Sequence, residues 1–232
     1  MTAPAMVAGL DGCAGGWVVV TTSTDADHTS TVERVSDLGV VVARLDRGEL
    51  AAAGIDIPIG LPGSAPRRCD IEARLMIGPR RSSVFPAPGR DLLEAETYEE
   101  AAACSRALYG KGLSRQAFGI LPKVRDVDRL MTPRRQRHLV EVHPEASFTA
   151  MSGGPMTHAK KTSAGRAERL ESLCAVFRDV DVHAGTPLAG TRPDDILDAF
   201  AVAWSAHRWL SRSHIRLGAG CDARGLRMEI IV

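Results

Sequence analysis

Apolar residues in this chain come in short runs, and the runs break at glycine, proline or an acid. Met6 to Leu10 is one such run; it meets Asp11, passes through Gly12-Cys13-Ala14-Gly15-Gly16, and resumes as Trp17 to Thr22. This pattern predicts a strand, a glycine turn and a second strand. Thr31 to Val35 predicts a third strand and so an opening antiparallel meander. Asp37 to Leu50 then carries helical spacing through Leu38, Val41, Val42 and Leu45. Ala51 to Pro62 reads as a buried strand that runs out into a proline-broken loop, with Ile55 and Ile57 on one face and Asp56 on the other.

His138 to His143 predicts another core strand, stopped by Pro144. Ser163 is placed to cap an amphipathic helix whose apolar residues Leu170, Leu173, Cys174 and Phe177 recur at i, i+3, i+4 and i+7. Pro193 opens a last helix that is almost wholly apolar through Trp204, apart from its aspartates. Gly225 to Val232 closes the chain as an edge strand. Residues 63–137, rich in Pro, Gly and Arg, form the least regular stretch and read as an insertion that serves as a lid or substrate wall. Strands alternating with helices give an α/β class, with residues 1–232 as one domain carrying that insertion.

The glycine turn after the first strand invites a dinucleotide-binding reading. That fingerprint needs a helix after the glycines to meet the pyrophosphate, whereas Trp17 to Thr22 is β-branched and strand-like. It is rejected for that reason. Gly110-Lys111-Gly112 is no phosphate loop either, because Lys111 lacks the preceding glycine spacing.

Composition adds the class of protein. The chain has 232 residues, 44% hydrophobic and 25% charged, which is the balance of a soluble globular protein. No apolar run approaches the roughly 20 residues that span a bilayer, and Met1 to Gly9 lacks the charged start and long apolar core of a signal peptide. A cytoplasmic location is therefore expected, with no membrane partner. The five cysteines (Cys13, Cys69, Cys104, Cys174 and Cys221) are scattered without a C-x-x-C pair, so reduced, mostly buried thiols are expected.

Net charge is only +1, but a basic middle is hidden in that average. From Arg106 through Arg137, nine Lys and Arg face only Asp126 and Asp128. Upstream, Arg67, Arg68, Arg74, Arg80, Arg81 and Arg90 face only Asp70 and Glu72. Basic stretches of this kind neutralise phosphates or form a solvated surface. Arg80, Arg81, Ser82, Lys111, Gln116, Lys123, Lys160 and Lys161 are the candidate substrate contacts, as cationic forks, point charges and hydrogen-bond donors.

The candidate chemistry lies in carboxylates set among apolar residues. Asp11 and Asp56 fall at the ends of predicted neighbouring strands, and Asp195 and Asp198 lie three apart on one side of the last helix. A buried carboxylate costs several kcal/mol unless a cation or hydrogen bonds compensate for it. Asp194 and Asp195 also favour a first helical turn through the dipole, worth about 0.3–1 kcal/mol. Asp198, a turn further in among Ile196, Leu197, Ala199 and Phe200, has no such reason to be there. Glu141, His143 and Glu145, at the end of the 138–143 strand, are further candidates for a metal site.

The segments G-L-D-G-C-A-G-G-W, I-D-I-P-I-G-L-P, R-R-S-S-V-F-P-A-P, G-K-G-L-S-R-Q-A-F, E-V-H-P-E-A-S-F and D-D-I-L-D-A-F-A together resemble the domain-of-unknown-function 429 family. That family is predicted to consist of RNase H-like nucleases, and the resemblance covers nearly the whole chain. It implies an RNase H-like mixed five-stranded sheet with flanking helices. Its acidic pattern is similar to that of Holliday-junction resolvases, in which acids on two strands and a D-x-x-D pair in the last helix hold two metals. Asp11, Asp56, Asp195 and Asp198 correspond to those acids. Asp at 56, in place of the frequent Glu, shortens the reach to metal and leaves room for Glu141 or Glu145 to contribute.

The resemblance thus implies a nuclease that hydrolyses phosphodiesters with two Mg²⁺ or Mn²⁺ ions about 3.5–4 Å apart. Its partner would be nucleic acid, DNA or RNA. Many RNase H-like resolvases are dimers, a state that no heptad or apolar stripe here demands. Two other readings use the same residues: an actin-like ATP-binding phosphotransferase, and a non-catalytic nucleic-acid-binding module.

Overall fold

The structure, a computed structural model, describes residues 4–25, 28–63 and 66–232. Residues 64 and 65 of the expected insertion, like 1–3 and 26–27, lie outside the described residues. The meander forms as the glycines suggest. Strand β1 (Met6–Cys13) pairs antiparallel with β2 (Gly16–Ser23), and β2 with β3 (Ser30–Val35). Gly15 turns the first hairpin at φ +64°, a conformation that costs glycine little.

Helix α1 (Gly39–Asp46) then carries the chain to β4 (Ala52–Ile55), which lies parallel to β1. Strand β5 (Leu139–Glu141) adds in parallel on the far side of β4, so the mixed sheet runs β3-β2-β1-β4-β5. This α/β arrangement is consistent with the expected RNase H-like fold. Strand β4 is shorter than the apolar run predicted, because the chain leaves the sheet at Asp56.

Both faces of the sheet are covered, which is why β2 reads as a nearly unbroken apolar run. On one face Leu10, Trp17, Val19 and Ile55 pack with Val41 of α1. On the other, Val18 and Val20 pack with Phe148 of α5 (Pro144–Ser152) and with Phe177, which follows α6 (Ser163–Cys174). Short helix α7 (Val180–Gly185) leads to α8 (Pro193–Leu210), whose Phe200 joins this second core.

The insertion between β4 and β5 is more regular than its composition suggests. It holds α2 (Arg68–Met76), three 3-10 turns at Gly78–Ser83, Arg90–Glu94 and Arg135–Arg137, α3 (Tyr98–Tyr109) and α4 (Arg115–Leu130). Thr97 and Glu100 form a capping box on α3, and Ser114 caps α4. Gly119 and Pro122 interrupt the propensity of α4, yet Ala117, Leu121, Val124 and Val127 still form its buried stripe. Packing decides the helix where propensity does not.

Four local expectations are corrected. Thr162, not Ser163, caps α6, its hydroxyl accepting from the Gly165 amide at 3.0 Å. The buried stripe of α6 is Gly165, Arg169 and Leu173, so Cys174 faces solvent. Of the five free cysteines only Cys13 and Cys69 are buried. The expected terminal strand shrinks to β7 (Ile230–Ile231), paired antiparallel with β6 (Arg216–Leu217) and bridged in parallel to Val142 beside the main sheet. Among the described residues no helix is long and apolar enough to cross a membrane.

Helix α8 comes closest to the sheet at two glycines. A Cβ at Gly9 of β1 would stand 2.1 Å from the Ala199 carbonyl oxygen and 2.2 Å from the Ala203 nitrogen, and one at Gly54 of β4 would meet Val202 at 2.8 Å. Gly9→Ala should therefore push helix from sheet and destabilise the protein by about 1–3 kcal/mol, the cost of overpacking a well-filled core. Chemical denaturation checks this, and an unchanged midpoint would show that α8 can move aside.

Candidate metal centre

The register of β1 and β4 determines which acids meet. Leu10 lies opposite Ile55, and the Asp56 amide donates to the Leu10 carbonyl at 3.0 Å, so Asp11 and Asp56 leave the sheet side by side. Alternation directs both away from the core that holds Leu10 and Ile55, onto the face shared with Gly9 and Gly54. Helix α8 makes its closest approach there. Asp198 immediately precedes Ala199, the residue whose carbonyl touches Gly9, and is thereby delivered to the strand ends. Carboxylate oxygens of Asp11, Asp56 and Asp198 lie within 4.8 Å of one another.

Three acids this close and this poorly hydrated resist ionising together. Burial, then the charges of Asp198 and Asp56, hold the Asp11 carboxyl well above the usual range. Burial raises Asp56 too, opposed by His143 and Lys160. Asp198 is pushed up to about 6 by burial, with Lys160 opposing the shift. The Lys160 ammonium donates to Asp198 Oδ2. Burial works against its charge, but Asp198, Asp11 and Asp56 outweigh burial and hold it above its ordinary range.

Lys160 is presented by a fastened loop. Glu168 accepts from the amides of Thr157 and His158 at 2.6 and 2.9 Å, and Arg169 donates to the His158 carbonyl at 3.3 Å. Arg80 donates to the carbonyls of Met156 and Thr157. That arginine, expected to hold phosphate, instead ties the 3-10 turn to this loop.

Other expected residues divide by what already occupies them. Glu145, offered as a metal ligand, has both oxygens engaged by buried Arg169, at 2.6 and 2.8 Å from Nη2, and stands outside the acidic trio. Glu141 is likewise committed to Arg67, with a 2.7 Å contact to each oxygen, and accepts from the Ile59 amide at 2.6 Å. Asp195 Oδ2 accepts from the Arg192 amide at 2.9 Å, closing the first turn of α8, and Asp195 lies outside the trio as well.

A cavity of about 600 Å³ opens from the centre, lined among others by Asp56, Asp195, Asp198, Lys160, Lys161 and Gln116. Gln116, Gly119 and Ile120 of α4 form one of its walls. Lys123, one turn further on, donates to the Gly16 carbonyl and lies 4.2 Å from the Trp17 ring centroid, with burial holding its ammonium below the ordinary range. Arg81 and Ser82 are exposed and do not line this cavity, and Lys111 borders a separate apolar one beside Tyr109.

The gathered trio suits a hard divalent cation: carboxylate oxygens only, more acids than the Lys160 ammonium neutralises, and an open cavity on one side. Mg²⁺ or Mn²⁺ fits this chemistry. Sequence reasoning passed over Arg67 and Arg169, which occupy Glu141 and Glu145. Arg169 carried a signal, since it falls on the same helical stripe as buried Gly165 and Leu173.

No curated protein and no solved structure matches the chain. A family model does: that of the protein of unknown function DUF429, which matches residues 9–219. The matched span takes in most of β1, all of β4 and α8, and all three gathered carboxylates, and the chain belongs to the DUF429 family.

Proposed function

We propose that this protein is a divalent-metal-dependent nuclease, a hydrolase of phosphodiester bonds in nucleic acid. The observation that carries the reading is the convergence of Asp11, Asp56 and Asp198 from three separate elements, within 4.8 Å of one another, beside an open cavity. Fold stability gives no reason to gather like charges at one place. The five free cysteines suit a reducing compartment, and we place the protein in the cytoplasm.

Asp11, Asp56 and Asp198 would hold the Mg²⁺ or Mn²⁺, with Asp195 adjoining. Bound there, the ion supplies activation of water for attack on phosphorus and stabilisation of charge on the phosphate oxygens. The chain's own residues do the rest. Burial of Asp11 and Asp198 strengthens each charge interaction there. Lys160, already drawn to Asp198, stands where a phosphate oxygen would arrive, and Lys161 and Arg192 line the same cavity as further cationic contacts. Gln116 on the α4 wall can hydrogen-bond the phosphate backbone independently of sequence.

Cleavage of a labelled panel (single-stranded RNA, RNA/DNA hybrid, duplex DNA and a four-way junction) in Mg²⁺ and Mn²⁺ tests the reading, with Asp198→Asn beside the wild type. Cleavage of at least one substrate by the wild type, lost in a folded variant, is expected. Equal cleavage by Asp198→Asn, or a metal-loaded wild type inert on the whole panel, would overturn it.

A further inference from the structure

We propose that His143 supplies a nitrogen ligand, through Nδ1, to a cation held beside Asp56. The inference rests on the metal-dependent reading above and adds to it a ligand outside the carboxylate trio.

Three ionisable side chains follow one another at alternate positions around the end of β5. Glu141 and Glu145 are each held by a buried arginine through both oxygens. His143 is not. It stands at the N-cap position of α5, but its ring makes no capping hydrogen bond. Nε2 lies 3.4 Å from the Ser83 carbonyl oxygen, which can only accept, so in the neutral ring the proton sits on Nε2 and Nδ1 keeps a lone pair. Histidines that bind metal are commonly arranged this way, one ring nitrogen donating to a carbonyl and the other free for the ion.

The free nitrogen is also the one without a partner. His143 Nδ1 is buried and accepts no hydrogen bond, and His143 lines the cavity with Asp56 and Asp198. Asp194 Oδ1 is the other buried polar atom without a partner on a residue of this cavity, among the described residues. Buried polar atoms are normally satisfied, and two orphans around one acidic cavity point to a charged or strongly donating occupant. His143 also stands near Asp56 in the lining of that cavity. An imidazole donor changes which ion is favoured: nitrogen suits Mn²⁺ and later transition metals better than Mg²⁺.

Pulsed electron paramagnetic resonance of the full chain loaded with Mn²⁺ tests the assignment without needing activity. The wild type is expected to show ¹⁴N modulation from a directly bound imidazole, replaced by the ¹⁵N pattern when the histidines are ¹⁵N-labelled. In His143→Gln the modulation should vanish while Mn²⁺ still binds to the carboxylates, about 10–100-fold more weakly. Mn²⁺ bound without nitrogen modulation in the wild type, or modulation unchanged in His143→Gln, would overturn the ligand and leave the nuclease reading standing. A wild type that binds no Mn²⁺ would overturn both.

Discussion

Asp11→Asn is expected to be inactive and, without metal, more stable than the wild type. Of the gathered acids, Asp11 is opposed by burial and then by both Asp198 and Asp56. Its amide analogue keeps the shape and removes the charge. Like charges about 4 Å apart repel by about 1 kcal/mol in water and about 4 kcal/mol near a protein surface. A gain of about 1–2 kcal/mol at pH 7 is a conservative share of that, worth about 2–8 °C in Tm for a chain of this size. Asp198→Asn should gain less, because it also loses its pairing with Lys160.

Cleavage should move the other way. Losing one of three ligands from the centre should lower the rate by at least ~10³-fold, or about 4 kcal/mol of transition-state stabilisation. Calorimetry and single-turnover cleavage on the same preparation settle the matter. A folded Asp11→Asn that melts below the metal-free wild type, or that still cleaves, contradicts the account.

The second large effect is a pH dependence that metal reverses. A native state whose carboxyls titrate above the ordinary range near 4 holds protons that the unfolded chain has already released. Stability must then fall as pH rises from about 4 through about 6, where Asp198 titrates, and the full cost persists above that. Asp11 and Asp56, also raised, act in the same direction. Glu141, raised by burial to about 7 against the pull of Arg67, extends the window upward. Glu168, lowered to about 2 by hydrogen bonds that outweigh its desolvation, contributes stability that is lost only as pH falls below about 4, outside this window.

The metal-free protein should therefore melt at a higher temperature at pH 5 than at pH 7. Mg²⁺ or Mn²⁺ a thousandfold above its Kd adds about 4 kcal/mol at neutral pH, or about 8–16 °C. The gain shrinks at pH 5, where protons compete for the same oxygens. Melting curves at pH 5, 6 and 7, with and without metal, are sufficient. A metal-free Tm that climbs from pH 5 to 7, or one indifferent to metal at pH 7, would show that the trio is not the dominant charged feature.

The parts legible in the sequence were those with a local cause. Asp11 and Asp198 interrupt apolar segments, and an acid in such a place is visible without a partner. The glycine hairpin and Pro193 fixed the ends of their elements by backbone geometry alone. What stayed hidden depends on residues far apart in the chain. Glu145 resembles a ligand until Arg169, 24 positions later, takes both its oxygens, and Glu141 until Arg67, 74 positions earlier, does the same. Asp195 is drawn to its own helix cap rather than to the centre. Helix α4 was obscured by Gly119 and Pro122, because a buried stripe outweighs propensity only when there is a core to bury it in.

The close seating of α8 on two strand glycines bears on how such a protein could change its substrate. Where the α8 main chain meets Gly9 there is no side chain to repack, so the spacing of Asp11 and Asp198 is set by that contact. The α4 wall is under no comparable constraint: it belongs to a separate segment between β4 and β5, and Gly119, on its cavity side, has open space where a Cβ would go. Divergence that rebuilt residues 66–137 would alter which molecule fits while leaving the chemistry untouched, and relatives with dissimilar insertions would still share small residues at 9, 54, 199 and 203.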